Sequence, residues 1–470
     1  MQKHHRLSLI ELLQQLPDPR VRGRCEHDLV DVLVIALCCL ICGGEGFNDM
    51  EDFGMAKRKW FRTFLRLRSG IPKHDTFNRV LAALKPEAFL EVFLAWTQSL
   101  RATIGEEIVA LDGKALRRAL DRGDSPRVIV SAWAAGNSLV LGQVEVPDKT
   151  NEITAVPKLL RALELSGCIV TLDALGCQKE IAKEIQEAAA EYVLALKGNQ
   201  GQCHEEIKGY LDDAVARQEE KAPAKKNRVP LAYKETVEKD HGRLETRRYW
   251  QSGDLNWFAG KGEWEGLRSV GVVESVRQVG QAAPTTERRY YLSSLSVDVE
   301  KFARAVRGHW AIENSLHWVL DVQCGEDRSR VRTGHAAANL AALRRLALNL
   351  LKQDRTQTAR HQGQATQRLL GPLLPPTPPG LLMRPPCIFR VNALLGSQPF
   401  HIVPVLLLGV AMHQRPQRRI GLNHRGINPQ VLAAQKAMLA QRLQRERENL
   451  LINFQPQPLA DDRETRMIGR

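Results

Sequence analysis

No stretch of this chain is apolar for long enough to cross a bilayer. The run Val32–Cys42 is nearly all apolar, but a spanning helix needs roughly 20 such residues. No secretory signal opens the sequence, so a reducing cytoplasm and no membrane partner are expected. The nine cysteines are odd in number, and several lie in apolar runs. Cys38, Cys39 and Cys42 have no matching Cys/His pair at zinc-finger spacing, so they read as small core residues. Acidic charge is also in short supply: 53 Asp and Glu face 67 Lys and Arg, a formal net charge of +14. That favours a polyanionic partner. The excess is uneven, because residues 371–470 alone hold 13 Lys and Arg against 5 Asp and Glu.

Taken in order, residues 1–100 read as helical. Leu29–Ile41 is nearly all apolar, hence a buried helix, and Gly43-Gly44 ends it. Phe47–Leu67 follows as a helix or pair, with Lys57, Arg58, Lys59, Arg62, Arg66 and Arg68 clustered near its end. A Gly70–Thr76 turn, with Asp75 as N-cap, starts a short helix to Leu84. A basic helix, a turn and a capped helix fit a DNA-reading head or a plain bundle with a solvated basic face. From Glu106 the pattern changes. Ile108–Leu111, Val128–Trp133, Leu139–Val144, Cys168–Leu172 and Tyr192–Leu196 read as strands, with helices over Asn151–Leu165 and Gln178–Ala190. Three strands, then alternating helices and strands, predict a mixed α/β sheet. Asp112 and Asp173 stand at the carboxyl ends of the first and fourth strands. If those strands are neighbours, both acids meet at one sheet edge, where ligands of open α/β sheets collect. Residues 201–300 interrupt as a mainly β insertion containing Trp250, Trp257 and Trp264. Such residues suit nucleobase stacking, but strand cores use them too, and the core reading is favoured.

Arg307–Asp321 then reads as one helix with two faces. At 100° per residue, Ile312, Leu316, Val319 and Leu320 share one side, and His309, Glu313 and His317 recur on another. The last long helix, His335–Lys352, is expected to turn Leu340, Leu343, Leu346 and Leu350 inward and Arg344 and Arg345 outward. Asp112, Asp173 and Glu313 together would make a site of hard oxygen donors. Carboxylates about 5 Å apart repel by about 3 kcal/mol per pair at an effective dielectric near 20. Mg²⁺ or Mn²⁺, as one or two ions, would remove that penalty and suit phosphodiester chemistry. Strand-end Asp residues also serve turns, and His309, Glu313 and His317 could instead hold zinc for a hydrolase.

Several stretches, in order, resemble the DDE transposases of bacterial insertion sequences, in the H-repeat-associated (ISAs-type) branch. They are Leu29–Gly54, Gly70–Leu81, Leu111–Arg117 (LDGKALR), Thr171–Gln178 (TLDALGCQ), Tyr192–Gln200 (YVLALKGNQ), Arg307–Val322 (RGHWAIENSLHWVLDV) and Glu326–Lys352. The resemblance implies a ribonuclease H-like fold, with Asp112, Asp173 and Glu313 as catalytic and metal-binding residues. It implies double-stranded DNA, both element ends and target, as partner, a dimer on paired ends, and a nucleoid-associated enzyme that cleaves and joins strands. A non-catalytic, DNA-binding derivative of a transposase is the other reading. Related transposases carry a Tyr, an Arg and a Lys around the Glu where this chain has Val306, His309 and Leu320. Basic help must come from elsewhere. Lys114, Lys197, Arg243, Arg307, His309 and His317 are the candidate phosphate- and DNA-binding residues.

The expected organisation is a helical, DNA-binding part over 1–100 and a catalytic part over 101–200 and 301–355. A β-rich insertion spans 201–300 and a tail spans 356–470. The tail breaks on Pro375–Pro379 and Arg384–Pro386 and loses periodicity. Shifting the codons for Arg360–Gly371 by one base can encode Gly-Ile-Arg-Gly-Lys-Arg-Leu, the ending that relatives carry. A frameshift near residues 355–360 is therefore expected, which would leave the tail out of frame or disordered and this copy impaired.

Overall fold

The computed structural model describes residues 8–21, 23–100, 107–119, 127–146, 152–219, 231–240 and 242–353. Lys221–Arg228, which the sequence reads as a basic loop, and the expected frameshift and tail lie outside the described residues. The helical part comprises α1 (Leu9–Leu13), α2 (Leu29–Ile41), α3 (Phe47–Ala56), α4 (Arg58–Phe61), α5 (His74–Ala83) and α6 (Pro86–Leu100). α2 is buried from Val32 to Ile41, as a helix without a polar face must be. Gly43, at φ 89°, ends it in the left-handed region. Cys38 and Cys39 are buried free thiols in this core. α5 starts at His74, earlier than the Asp75 N-cap predicts. The reason is tertiary: the Glu51 carboxylate of α3 accepts the His74 amide at 2.8 Å and so caps the helix from outside. Among the described residues, no helix is long and apolar enough to cross a membrane.

The strands are β1 (Ile108–Ala115), β2 (Val128–Ala134), β3 (Leu139–Val146), β4 (Ile169–Leu172) and β5 (Glu191–Leu196), with α7 (Glu152–Ala162) and α8 (Lys179–Glu187) between the later ones. β1 and β2 pair antiparallel, as do β2 and β3, whereas β4 runs parallel to β1 and β5 parallel to β4. The order β3-β2-β1-β4-β5 is the ribonuclease H-like arrangement. α9 (Gly201–Glu219) leads into β6 (Ala232–Asp240), β7 (Arg243–Ser252), β8 (Ser269–Val279) and β9 (Thr285–Ser293). These four form a meander that joins the same sheet, because β9 pairs with β5. β6 escapes a pattern reading: its Lys and Glu residues give no apolar run, which suits the sheet edge it occupies. Trp250 and Trp264 are core residues, and Trp257 stacks on Tyr210 at 4.1 Å.

Alternation along the strands sorts side chains between the two faces. Val170 and Leu172 pack with residues of α7 and α8. Ile169 packs with Phe302, Ala305 and Val306 of α10 (Val299–His309) on the other face. Ala110 of β1 also points to that second face, against Ile312 and Leu316. α12 (Ala336–Gln353) is the correction to the pattern reading. Arg344 and Arg345 are 2% and 0% exposed, not outward-facing. α12 packs on α2, α5 and α6 while also touching β3, so it has no solvent face to offer.

Candidate active site

β1 does not stop at Asp112. It continues to Ala115, still paired with β2, after its pairing with β4 has ended at Leu111–Leu172. Asp112 and Asp173 each follow that last pair, so they stand side by side where the two parallel strands part. By strand alternation both belong to the face that carries α10. The segment after α10 closes over them. Glu313–His317 is a single π-helical turn, followed by α11 (Trp318–Val322). The expected straight helix is thus widened at the residues of interest, a feature that π-turns often show at functional sites. Ile312, Leu316 and Leu320 are buried in the helical core and anchor the turn. Glu313 is left exposed, with 59% of its side chain accessible.

Asp112, Asp173, Glu313, Lys197 and His309 line one cleft, together with Arg289, Tyr291 and Trp310. Behind two of these acids, the buried His317 places its Nδ1 3.0 Å from Glu313 Oε2 and 3.4 Å from Asp112 Oδ2. Ligand atoms of Asp112, Glu313 and His317 all fall within 4.8 Å of one another, spacing that could hold a metal ion. Asp173 is outside that group. Its Oδ1 accepts the amides of Leu175 and Gly176 at 3.0 and 3.3 Å, which turns the carboxylate into the following loop. Burial lowers the His317 pKa, and its bond to Glu313 only partly opposes this.

His309 does not join Glu313 and His317 as a third ligand. Its Nδ1 lies 3.1 Å from the Thr171 hydroxyl, two residues before Asp173. Burial pulls its pKa down to about 4, against the upward pull of Asp173 and Thr171. The unfolded chain takes up this proton near pH 6.5, the folded chain only near 4, so the unfolded state binds more protons between the two. Stability should therefore fall as pH is lowered from 6.5 toward 4. Thermal unfolding across that range should show a shallower pH slope for His309→Gln than for the parent. Equal slopes would remove His309 as the cause.

Other sequence candidates go elsewhere. Lys114 is buried and ion-paired to Asp321 and Asp327 at 2.6 and 2.9 Å, so it presents no open face to a phosphate. Arg307 pairs with Glu238 at 2.7 Å. Arg243 stands beside the β6–β7 turn and pairs with Glu245 at 2.7 Å. Arg289 is the cleft residue that the sequence reading passes over. Its guanidinium sits 4.4 Å from the centroid of the exposed Trp310 ring. Alternation along β9 places it on the face of Tyr291, a signal that becomes usable once that strand is known to border β5.

Residues 104–350 match the family model described as "Transposase DDE domain", and residues 10–97 match one described as "DDE_Tnp_1-associated". "Putative transposase YncI" of Escherichia coli O157:H7 is 40% identical over 354 residues, covering 73% of this chain and 87% of that one. "H repeat-associated putative transposase YhhI" of Escherichia coli strain K12 is 37% identical over 356 residues, covering 74% and 91%. A chain from a cryo-EM structure of a piggyBac transposase synaptic complex with hairpin DNA aligns at 10% identity and TM-score 0.33, a likeness too loose to build on.

Proposed function

The chain belongs to the DDE transposase family, and from that premise we propose that it binds the ends of its own insertion sequence and catalyses metal-dependent cleavage and joining of DNA strands. The observation that carries this reading is the convergence of Asp112, Asp173 and Glu313, from two strands and a π-turn, on one cleft. Hard carboxylate oxygens suit Mg²⁺ or Mn²⁺. Asp112 and Glu313 would hold one ion, with His317 beside them and Asp173 completing the set for a second. Bound there, such ions supply Lewis-acid stabilisation of the phosphate oxygens and a more acidic water or hydroxyl.

The chain's own residues would do the rest. Lys197 lines the cleft and is placed to take phosphate oxygens; Arg289, also in the lining, is held by Glu287 at 2.8 and 3.1 Å and would exchange that partner for a phosphate. His309, neutral at pH 7 and tied to Thr171, supports the strand end that presents Asp173. Arg58, Lys59, Arg62, Arg66 and Arg68 are all exposed around α4, a basic surface suited to the phosphate backbone of duplex DNA. Assembly as a dimer on paired ends belongs to the same proposal. The zinc-hydrolase reading is not favoured, since His309 stays with Thr171.

The test is strand nicking on duplex DNA carrying the ends of the element. Cleavage is expected with Mg²⁺ or Mn²⁺, absent with chelator, and reduced at least about 100-fold in Asp173→Asn, given the several kcal/mol such an ion supplies. Chelator-resistant nicking, or full activity in Asp173→Asn, would overturn the reading for that residue set.

A further inference from the structure

Lys114 shares a sheet face with Asp112, two residues before it on β1. Its ammonium is held by Asp321 and Asp327 at 2.6 and 2.9 Å, with Glu326 at 3.9 Å. Asp321 is on α11, directly after the π-turn that carries Glu313. Glu326 is fully buried and bonded by Arg345 of α12 at 2.9 Å. Arg345 Nε also donates to the Ser131 hydroxyl at 3.0 Å, and Ser131 is the residue paired with Asp112 across β1 and β2. These contacts close a ring. One side runs from β1 through Lys114 to α11, the other from Asp112 through His317 to Glu313.

A buried ammonium is an expensive way to hold two elements together, because apolar packing of similar volume would do so without desolvating charge. What it adds is a set length: the Lys114–Asp321 ion pair holds β1 and α11 at one separation, and the charge-assisted hydrogen bond to Asp327 fixes where the ammonium points. We propose that Lys114 is a positioning residue, tying β1 to the segment of Glu313 so that Asp112 and Glu313 stand within reach of one cation. This rests on the metal-dependent reading above.

Mn²⁺ titration of the full-length protein, followed by electron paramagnetic resonance, tests it without any turnover. The parent is expected to bind Mn²⁺ and Glu313→Gln to lose it. Lys114→Met should weaken binding by about 10- to 100-fold, the usual cost of losing an outer-sphere support. Because Lys114→Met leaves the half-buried Asp321 and Asp327 without their shared ammonium, Lys114→Met/Asp321→Asn is measured beside it. The double variant should recover much of the thermal midpoint but not the Mn²⁺ affinity. A folded double variant with parental affinity would show that Lys114 only stabilises, and would overturn the proposal while leaving the metal site standing. A parent that binds no Mn²⁺ would sink the metal-dependent reading and this inference with it.

Discussion

Replacing Glu313 with Gln is expected to lower metal-dependent nicking by about 10³-fold while leaving the fold intact. The fold should survive because the side chain is exposed and the π-turn is anchored by Ile312, Leu316 and Leu320 rather than by Glu313. Gln keeps an oxygen that can still accept from His317 Nδ1, now 3.0 Å away. It removes the negative charge that a divalent cation needs. Loss of several kcal/mol of transition-state stabilisation corresponds to a rate loss of about this size. The measurement is the single-turnover nicking rate at fixed Mn²⁺, with duplex binding followed separately by gel shift at fixed salt. Binding should stay near the parental level. A Gln variant that nicks within threefold of the parent would remove Glu313 from the chemistry.

Replacing Arg345 with Met should destabilise the protein by about 3–5 kcal/mol, the usual cost of stranding one member of a buried ion pair. Both Arg345 and Glu326 have fully buried side chains. Burial pushes the Glu326 carboxyl up, but Arg345, Arg344 and Lys114 more than offset it, so the group stays below the ordinary range. Without Arg345 that charge loses its principal partner, and Ser131 loses a donor. Arg345→Met/Glu326→Gln should recover part of the loss, because the carboxylate stranded by the single change is gone, although Arg344, also buried, then loses Glu326 as its counter-charge. Urea unfolding of the three proteins checks this. If the single and double variants unfold at the same urea concentration, the pair is not what stabilises this junction.

These two residues mark what pattern reading reaches. Glu313 stands out because acid and imidazole recur at helical spacing beside an apolar stripe, and periodicity needs no knowledge of the partner surface. Arg345 misleads for the opposite reason. In sequence it sits on an amphipathic helix where Arg belongs outside. Its burial follows from α12 being enclosed by the helical part and the sheet at once, which no local window contains. Lys114 misleads similarly: read as a strand-end phosphate ligand, it lies inside a strand that β2 extends beyond the expected end.

By itself the sequence determined the helical start, the strand and helix alternation, the family resemblance and the two aspartates at strand ends. Each of these rests on spacing within a few residues, or on motif strings. Only the tertiary structure decided which acids share an ion's reach. It turned Asp173 into its own loop, widened the helix at Glu313, brought His317 to Asp112 and drew Arg289 into the cleft. It also took Lys114 and Arg345 out of solvent. The physical reason is that distances of a few ångströms between side chains on different elements are set by packing and buried ion pairs, whose partners lie far apart along the chain.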